Sequence, residues 1–210
     1  MNKKNLSIDS IDAFIFDFDG VLTNNLVHIN QDGKESVSCS RADGLAFDVL
    51  RKIHKPTYIL STEKNPVVTV RANKLKVPVL QGVGDKSQAV KELTNKKGFK
   101  LENIFYVGND LNDYNAMQLC GYTACPIDSH IIIKQLATYT LKTKGGEGVI
   151  RELLVLNYNY GHTPSIQPLQ ELHLESPFTV LYGIGMKASM EYRGLAIMST
   201  QRQIGLNWEV

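Results

Sequence analysis

The chain has few cysteines, no long apolar run and no excess of charge of one sign. Cys39, Cys120 and Cys125 are the only cysteines among 210 residues, and no two have a Cys-x-x-Cys spacing. This pattern supports neither a disulfide framework nor a zinc site, and it favours a reduced, cytoplasmic protein. The apolar runs are too short to cross a membrane, and the first ten residues lack the apolar core of a signal peptide. We therefore expect a soluble protein without a membrane partner.

The balance of charge argues against binding to nucleic acid or to an anionic membrane. Lysine and arginine number 23 and aspartate and glutamate number 21, which gives a formal net charge of +2. Proteins that bind nucleic acid or anionic membranes through their surface charge are usually more basic than this. The hydrophobic fraction of 43% is ample for a buried core, and the length permits one or two domains.

The most informative stretch runs from Ala13 to Thr23. An apolar run ends there in two aspartates, Asp17 and Asp19, and Gly20 follows them. Alternate side chains of an extended strand point the same way, so the two carboxylates can face one point. Carboxylates held together repel each other and favour a cation between them, and Mg²⁺ is the natural choice for oxygen ligands. A strand followed by an ordinary Asx turn would produce the same letters.

Strand-like and helix-like patterns alternate through the next 140 residues or so of the chain. We predict strands at the first apolar run and at residues 57–60, 77–80, 104–107, 122–124 and 139–141, with helices at 43–53, 66–75, 86–97 and 149–156. This alternation predicts an α/β fold, a Rossmann-like parallel sheet with helices on both faces. Between the first two core strands there is room for a β-hairpin flap at residues 26–38 and one helix. We therefore expect no cap domain.

The expected domain organisation is a core at residues 1–156 followed by an extension at 157–210. The extension contains Pro164, Pro168 and Pro177 and two strand-like stretches, but it lacks the strand–helix alternation of the core. We assign it no function.

Polar groups follow four of the predicted core elements. They are Asp17 with Asp19, Ser61 with Thr62, Lys86, and the cluster Asn109, Asp110 and Asp113. The carboxyl ends of parallel strands meet at one edge of a sheet, so these groups should converge. The set suits phosphoryl transfer, in which one carboxylate attacks phosphorus and a second acid protonates the leaving oxygen and then activates water. A hydroxyl and a lysine would hold the phosphoryl oxygens.

Two of these groups also have a structural explanation. Ser61 and Thr62 would also suit as caps of the helix after Pro66. Lys86 follows Asp85, a good N-cap residue, so its cation lies in the first turn of a helix. The helix dipole disfavours a cation there by up to about 1 kcal/mol, and an anionic partner would offset that cost. The alternative is a lysine whose long stem reaches solvent.

These residues, in this order, make the chain resemble the haloacid dehalogenase superfamily of phosphatases. The likeness is closest to the cap-less branch of 3-deoxy-manno-octulosonate 8-phosphate phosphatase and the nonulosonate 9-phosphate phosphatases of sialic-acid type. It covers roughly residues 12–156, including the ending from Lys144 to Glu152. The resemblance implies a Mg²⁺-dependent phosphatase in which Asp17 is the nucleophile and Asp19 the acid and base.

The resemblance also implies roles for the remaining groups. Magnesium would be held by Asp17, the backbone carbonyl of Asp19, Asn109 and Asp110, with Asp113 orienting the site. Lys86, Ser61 and Thr62 would bind phosphate. Glu63, Arg71 and Lys74 would recognise the sugar acid. Arg71 and Lys74 are also explained by a solvated helix face. The missing cap implies a homo-oligomer, a tetramer, in which hairpins and the region 145–152 of neighbouring subunits complete each site.

One residue departs from the family pattern. Asn109 stands where active members usually have aspartate, so the site loses one negative charge and should hold Mg²⁺ more weakly. The same Gly-Asn pair occurs in the phosphatase-like domain fused to some acylneuraminate cytidylyltransferases. A non-catalytic assembly domain is therefore the alternative function. A phosphoacceptor module of the receiver type is a third reading, but its phosphorylated aspartate ends an internal strand rather than the first one.

Overall fold

The structure, a computed structural model, describes residues 7–154. Six strands form a parallel sheet: β1 (Ala13–Phe16), β4 (Thr57–Leu60), β5 (Val79–Leu80), β6 (Ile104–Val107), β7 (Tyr122–Cys125) and β8 (Tyr139–Thr140). Two more strands, β2 (Thr23–Ile29) and β3 (Glu35–Cys39), pair with each other as an antiparallel hairpin. The order in the main sheet is β5-β4-β1-β6-β7-β8, and every pairing in it is parallel.

Helices connect the strands and cover the sheet. They are α1 (Ala42–Lys52), α2 (Val67–Leu75), α3 (Lys86–Lys97), α4 (Tyr114–Leu119) and α5 (Ile131–Leu136), with short 3-10 turns at Ile8–Ser10, Leu101–Asn103 and Leu111–Asp113. A further helical segment occupies residues 149–154. The Asp85 side chain accepts hydrogen bonds from the first-turn amides of α3, and Gly98 ends that helix in the left-handed conformation. The predicted Rossmann-like fold is confirmed.

Strand β1 is buried on both faces because its four residues are all apolar. On one face Phe14 stacks on Phe105 of β6, with ring centroids 5.6 Å apart, and Phe16 meets Phe47 of α1 edge to face. On the other face Ile15 belongs to an apolar cluster that includes residues of α3 and α4. This central strand therefore holds the residues at its carboxyl end in a fixed position.

The strand order reverses beside β1. Strands β4 and β5 lie on one side of it, and β6, β7 and β8 lie on the other. Such a switch point leaves a crevice at the carboxyl ends of the two central strands, where open α/β sheets bind their ligands. The backbone amide of Asp17 donates to the carbonyl of Val107 over 2.9 Å, which joins the ends of β1 and β6 at this point.

The hairpin β2–β3 is the insertion that the sequence predicted between the first two core strands. Three large apolar side chains of β2 are exposed, those of Leu26, Val27 and Ile29. Within residues 7–154, no helix is long and apolar enough to cross a membrane. The expected domain boundary at residue 156 and the extension at 157–210 lie outside the described residues.

Candidate active site

Asp17 is buried at the end of β1, and its carboxylate is held through one oxygen. The backbone amide of Phe18 donates to Oδ1 over 2.7 Å, and Nζ of Lys86 lies 2.7 Å from the same atom. Burial raises the pKa of Asp17 well above its usual value, and the nearby carboxylate of Asp113 adds to the shift, whereas Lys86 opposes it. The carboxylate therefore depends on nearby positive charge to remain ionised.

Lys86 supplies that charge, and it is itself only 2% exposed. Its ammonium group lies 2.7 Å from Oδ1 of Asp17 and 2.7 Å from Oδ1 of Asp113. Burial alone would lower the pKa of Lys86, but the two carboxylates outweigh burial and raise it. The anionic partner that the helix position suggested for Lys86 is thus a pair of carboxylates, and the side chain does not reach solvent.

Asp113 positions this lysine. Its Oδ1 also accepts a hydrogen bond from the hydroxyl of Tyr106 over 2.8 Å, and its Oδ2 accepts the backbone amide of Asn109 over 2.9 Å. A Cβ on Gly108 would collide with the Asp113 side chain, so the close approach of the turn after β6 needs glycine. Burial raises the pKa of Tyr106 well above its usual value, and the carboxylate of Asp113 adds to the rise, so the phenol stays a donor.

Asp19 lies in the loop after β1 and is partly exposed. The hydroxyl of Thr23 lies 3.4 Å from Oδ1 of Asp19 and accepts the backbone amides of Gly20 and Asn25 over 3.1 and 3.2 Å. Burial raises the pKa of Asp19, and the charge of Glu63 raises it further. A carboxyl group whose pKa is raised holds its proton to higher pH, which suits a general acid.

A pocket of about 250 Å³ opens at this edge of the sheet. It is lined by Asp17, Asp19, Asn25, Thr62, Asn109, Asp110 and Asn112. The four residues expected to hold a metal ion therefore share one pocket. Oδ1 of Asn109 is buried and has no hydrogen-bond partner. An unpartnered carbonyl oxygen among carboxylates is a donor set that fits a hard cation such as Mg²⁺.

Acidic side chains alone do not complete such a site. Among the residues that the structure describes, no group of three or more histidine, cysteine, aspartate or glutamate side chains is arranged to hold a metal ion. The amide of Asn109 would have to supply the missing oxygen. Gly20 makes room for that amide, because a Cβ there would collide with the Asn109 side chain.

The two hydroxyl residues after β4, Ser61 and Thr62, have different environments. Thr62 lines the pocket, whereas Ser61 is buried and its hydroxyl accepts the backbone amide of Glu63 over 3.1 Å. The carboxylate of Glu63 accepts the amides of Lys64 and Asn65 over 2.6 and 2.7 Å. Both Ser61 and Glu63 thus shape the turn before α2, and Glu63 also acts electrostatically on Asp19.

Arg71 and Lys74 line a different pocket, of about 370 Å³, between α1 and α2. Its other lining residues are Arg41, Gly44, Asp48, Arg51, Leu75 and Lys76. None of these residues lines the pocket that contains Asp17. Arg71 donates to the carbonyl of Ser40 over 2.7 Å. Within one chain, therefore, the structure does not bring these two cations to the pocket that contains Asp17.

Several residues of this site were absent from the sequence predictions. They are Thr23, Asn25, Tyr106 and Asn112. The sequence indicated only that Tyr106 belongs to an apolar strand, because its contact with Asp113 depends on the turn after β6. Asn25 has a φ of 61°, a left-handed conformation that asparagine tolerates better than most residues, so its residue type suits the position but does not by itself predict it.

Comparison with known proteins agrees with this geometry. Residues 53–153 match the family of haloacid dehalogenase-like hydrolases. The 3-deoxy-D-manno-octulosonate 8-phosphate phosphatase KdsC of Escherichia coli is 30% identical over 146 residues, which cover 69% of this chain and 78% of that protein. The chain therefore belongs to the haloacid dehalogenase-like hydrolases. It is a phosphatase related to the KdsC proteins.

Solved structures show the same relationship. A protein of Streptomyces avermitilis assigned to the same family is 41% identical, with a TM-score of 0.70 over 72% of this chain and 87% of that one. The 3-deoxy-D-manno-octulosonate 8-phosphate phosphatase of Moraxella catarrhalis is 28% identical, with a TM-score of 0.69 over 72% of this chain and 87% of that one. That structure holds magnesium, phosphate and a KDO molecule.

Proposed function

We propose that this phosphatase hydrolyses a phosphorylated keto-deoxy sugar acid, an octulosonate 8-phosphate or a nonulosonate 9-phosphate, with Mg²⁺ and through an aspartyl-phosphate on Asp17. The observation that carries the proposal is the fixed carboxylate of Asp17 at the switch point of the sheet. It lies beside a buried lysine and shares a pocket with a second aspartate. The names of the related phosphatases supply the octulosonate 8-phosphate, and the resemblance of the sequence supplies the nonulosonate 9-phosphate.

The contacts of Asp17 favour one of its two carboxylate oxygens as the attacking atom. Phe18 and Lys86 both engage Oδ1, which leaves Oδ2 available to attack phosphorus. The new bond joins Oδ2 to phosphorus while the bond from phosphorus to the sugar oxygen breaks. Lys86 keeps Asp17 ionised before the attack and offers its remaining hydrogen-bonding capacity to a phosphoryl oxygen.

Asp19 handles the protons in both steps. It gives its proton to the departing sugar oxygen, and burial raises the pKa of Asp19, so the carboxyl group holds that proton to higher pH than an exposed aspartate would. As a carboxylate it then takes a proton from the water that attacks phosphorus, which releases phosphate and restores Asp17. The contact from Thr23 keeps the Asp19 side chain in the loop near the pocket.

Asp17, Asp19, Asn109 and Asp110 would hold the magnesium ion. When bound, Mg²⁺ supplies positive charge that reduces the repulsion between the anionic nucleophile and the anionic phosphate ester. Asp17 itself needs such charge to remain ionised, because burial raises its pKa.

The sugar acid needs recognition beyond the phosphate group. Thr62, Asn25 and Asn112 line the pocket and can hydrogen-bond to hydroxyl groups of a sugar. We place the carboxylate of the substrate near Arg71 and Lys74 in a homotetramer in which neighbouring subunits complete the site. A monodisperse and fully active monomer in light scattering would contradict this part of the proposal.

The experiment that tests the substrate class is phosphate release with Mg²⁺ from a panel of octulosonate 8-phosphate and neuraminate-type 9-phosphates. We expect turnover of at least one of them to exceed that of glucose 6-phosphate, a sugar phosphate without a carboxylate. Equal turnover of all the esters would contradict recognition of a sugar acid.

A second candidate function rests on Asn109. Because this residue replaces a charged metal ligand, a non-catalytic assembly domain beside an acylneuraminate cytidylyltransferase would also fit the sequence. That function predicts no turnover on any member of the panel, with the protein folded and Mg²⁺ in excess. The intact pair of Asp17 and Asp19 favours the catalytic function.

A further inference from the structure

The segment from residue 142 to residue 151, called here the closing segment, packs on the loop that follows β1. The backbone amide of Gly146 donates to the carbonyl of Val21 over 3.0 Å. A Cβ on Gly145 would collide with the carbonyl of Gly20, and one on Gly146 would press on the amide of Asn24. The two backbones therefore touch, and only glycine permits this approach. Because the loop also carries Asp19, the closing segment is in a position to restrict its movement.

Three carboxylates hold the closing segment in place. Asp128 accepts the amide of Gly145 over 3.0 Å, and Glu152 accepts the amides of Lys142 and Thr143 over 2.8 and 2.7 Å. The third carboxylate, Asp43, comes from the first turn of α1.

Asp43 differs from the other two because it is completely buried. Its Oδ1 accepts the amides of Ile150 and Arg151 over 3.0 and 3.3 Å, at the start of the helical segment at residues 149–154. Its Oδ2 is buried without a hydrogen-bond partner. A buried carboxylate with one unpartnered oxygen lowers the stability of the folded protein, and a role in the reaction would explain why it is present.

We propose that Asp43 is a positioning residue for the phosphatase reaction, because it holds the closing segment against the loop that carries Asp19 and Gly20. The inference rests on the proposed function only in taking that loop as catalytic. The path is short and continuous. Asp43 fixes the amides of Ile150 and Arg151, the chain then leads back to Gly146, and Gly146 binds the carbonyl of Val21.

The charge of Asp43 matters for this contact. Burial raises its pKa to about 6, against the lowering influence of the amides of Arg151 and Ile150 and of the charges of Arg71 and Arg151. The thiol of Cys39, at the end of β3, also lies within the field of Asp43. The cost of burying the charge outweighs these favourable contacts, so the closed arrangement binds the proton of Asp43 more tightly than an open one does. The contact should therefore be tightest below pH 6 and weaken as pH rises above it.

Hydrogen–deuterium exchange of the full chain tests the proposal without requiring turnover. The variants are Asp43→Ala and Asp43→Asn, and the matched control is Asp48→Asn, which changes an exposed carboxylate on the same helix. For Asp43→Ala we expect amide exchange to rise about tenfold or more in the closing segment and also in residues 18–24. The control should match the wild type in both segments.

The pH dependence separates positioning by charge from a purely structural effect. At pH 5 the carboxyl group of the wild type is mostly protonated, so the wild type and Asp43→Asn should exchange at the same rate. At pH 8 the wild type carries the buried charge and should exchange faster than Asp43→Asn in the closing segment and in residues 18–24. Faster exchange confined to the closing segment, with residues 18–24 unchanged, would overturn the proposal. An equal difference between the two proteins at both pH values would overturn the role of charge.

A second variant covers the case in which the Asp43 variants fail to fold. Asp128→Asn loosens the closing segment from its other side, and Asp128 is exposed, so the variant should fold. We expect faster exchange in residues 18–24 together with a lower kcat on p-nitrophenyl phosphate and little change in KM. Unchanged exchange in those residues would show that the closing segment does not support the loop. A protein without any turnover would contradict the proposed function, whereas the exchange result would still decide this inference.

Discussion

Replacing Lys86 by methionine tests the buried charge cluster at the centre of the site. The side chain is almost fully buried, and its ammonium lies 2.7 Å from the carboxylates of both Asp17 and Asp113. Methionine keeps the length and apolar stem of lysine but removes the charge. Two buried carboxylates then remain without the cation that compensates them, and breaking a buried pair in this way costs about 3–5 kcal/mol in the free energy of unfolding.

The loss should depend on pH in a defined direction. The pKa of Asp17 is already raised by burial and by Asp113, and Lys86 opposes that rise, so removing the lysine raises the pKa further. A carboxyl group with a raised pKa in the folded protein binds a proton more readily there than in the unfolded chain. As pH falls, protonation of Asp17 relieves the unpaired charge. The variant should therefore lose more stability at pH 8 than at pH 5.

Urea unfolding at these two pH values measures both quantities. The matched control is Lys91→Met, which removes an exposed lysine from the same helix. We expect the control to change the free energy of unfolding by less than about 0.5 kcal/mol at either pH. A loss for Lys86→Met as small as that of the control, or the same loss at pH 5 and pH 8, would refute the description of a buried charge cluster.

Three further changes have defined outcomes. Tyr106→Phe removes one donor from Asp113 and should cost about 1–2 kcal/mol in urea unfolding, and no loss would contradict that contact. Asn109→Asp adds a carboxylate to the pocket and should bind Mg²⁺ more tightly in calorimetry; equal or weaker binding would argue against Asn109 as a ligand. For Asp43, a pKa raised from 3.8 to about 6 means that the folded state binds the proton more tightly. Wild-type stability should therefore fall, relative to Asp43→Asn, by about 3 kcal/mol as pH rises from 3 to 8, and a constant difference would contradict the shift.

The parts of the fold that could be predicted are those with a local signal. The strand before Asp17 is an uninterrupted apolar run, and Gly98 ends α3 as its position suggested. The carboxyl ends of such strands must meet at one edge of a parallel sheet, so the pocket could be predicted before any contact was known. The sequence predicted that Lys86 has an anionic partner, because a cation in the first turn of a helix is unfavourable without a nearby negative charge.

What could not be predicted depends on contacts between distant parts of the chain. Asp43 accepts amides more than a hundred residues away, and nothing around it in the sequence marks it as buried. The role of Tyr106 depends on Asp113, whose position is set by the turn that Gly108 allows. Arg71 and Lys74 line a pocket that does not contain Asp17 within one chain, and this separation follows from how α1 packs on α2, which no local pattern reveals.

The measurement that tests the central claim most directly is phosphate release by the wild type and by Asp17→Asn, with Mg²⁺ in excess. Asp9→Asn, an exposed change in the 3-10 turn before β1, serves as the control. If the Asp17 carboxylate is the nucleophile, turnover should fall by at least about a thousandfold in Asp17→Asn and remain unchanged in Asp9→Asn, with both variants folded. Turnover by Asp17→Asn close to that of the wild type would contradict the account of this site.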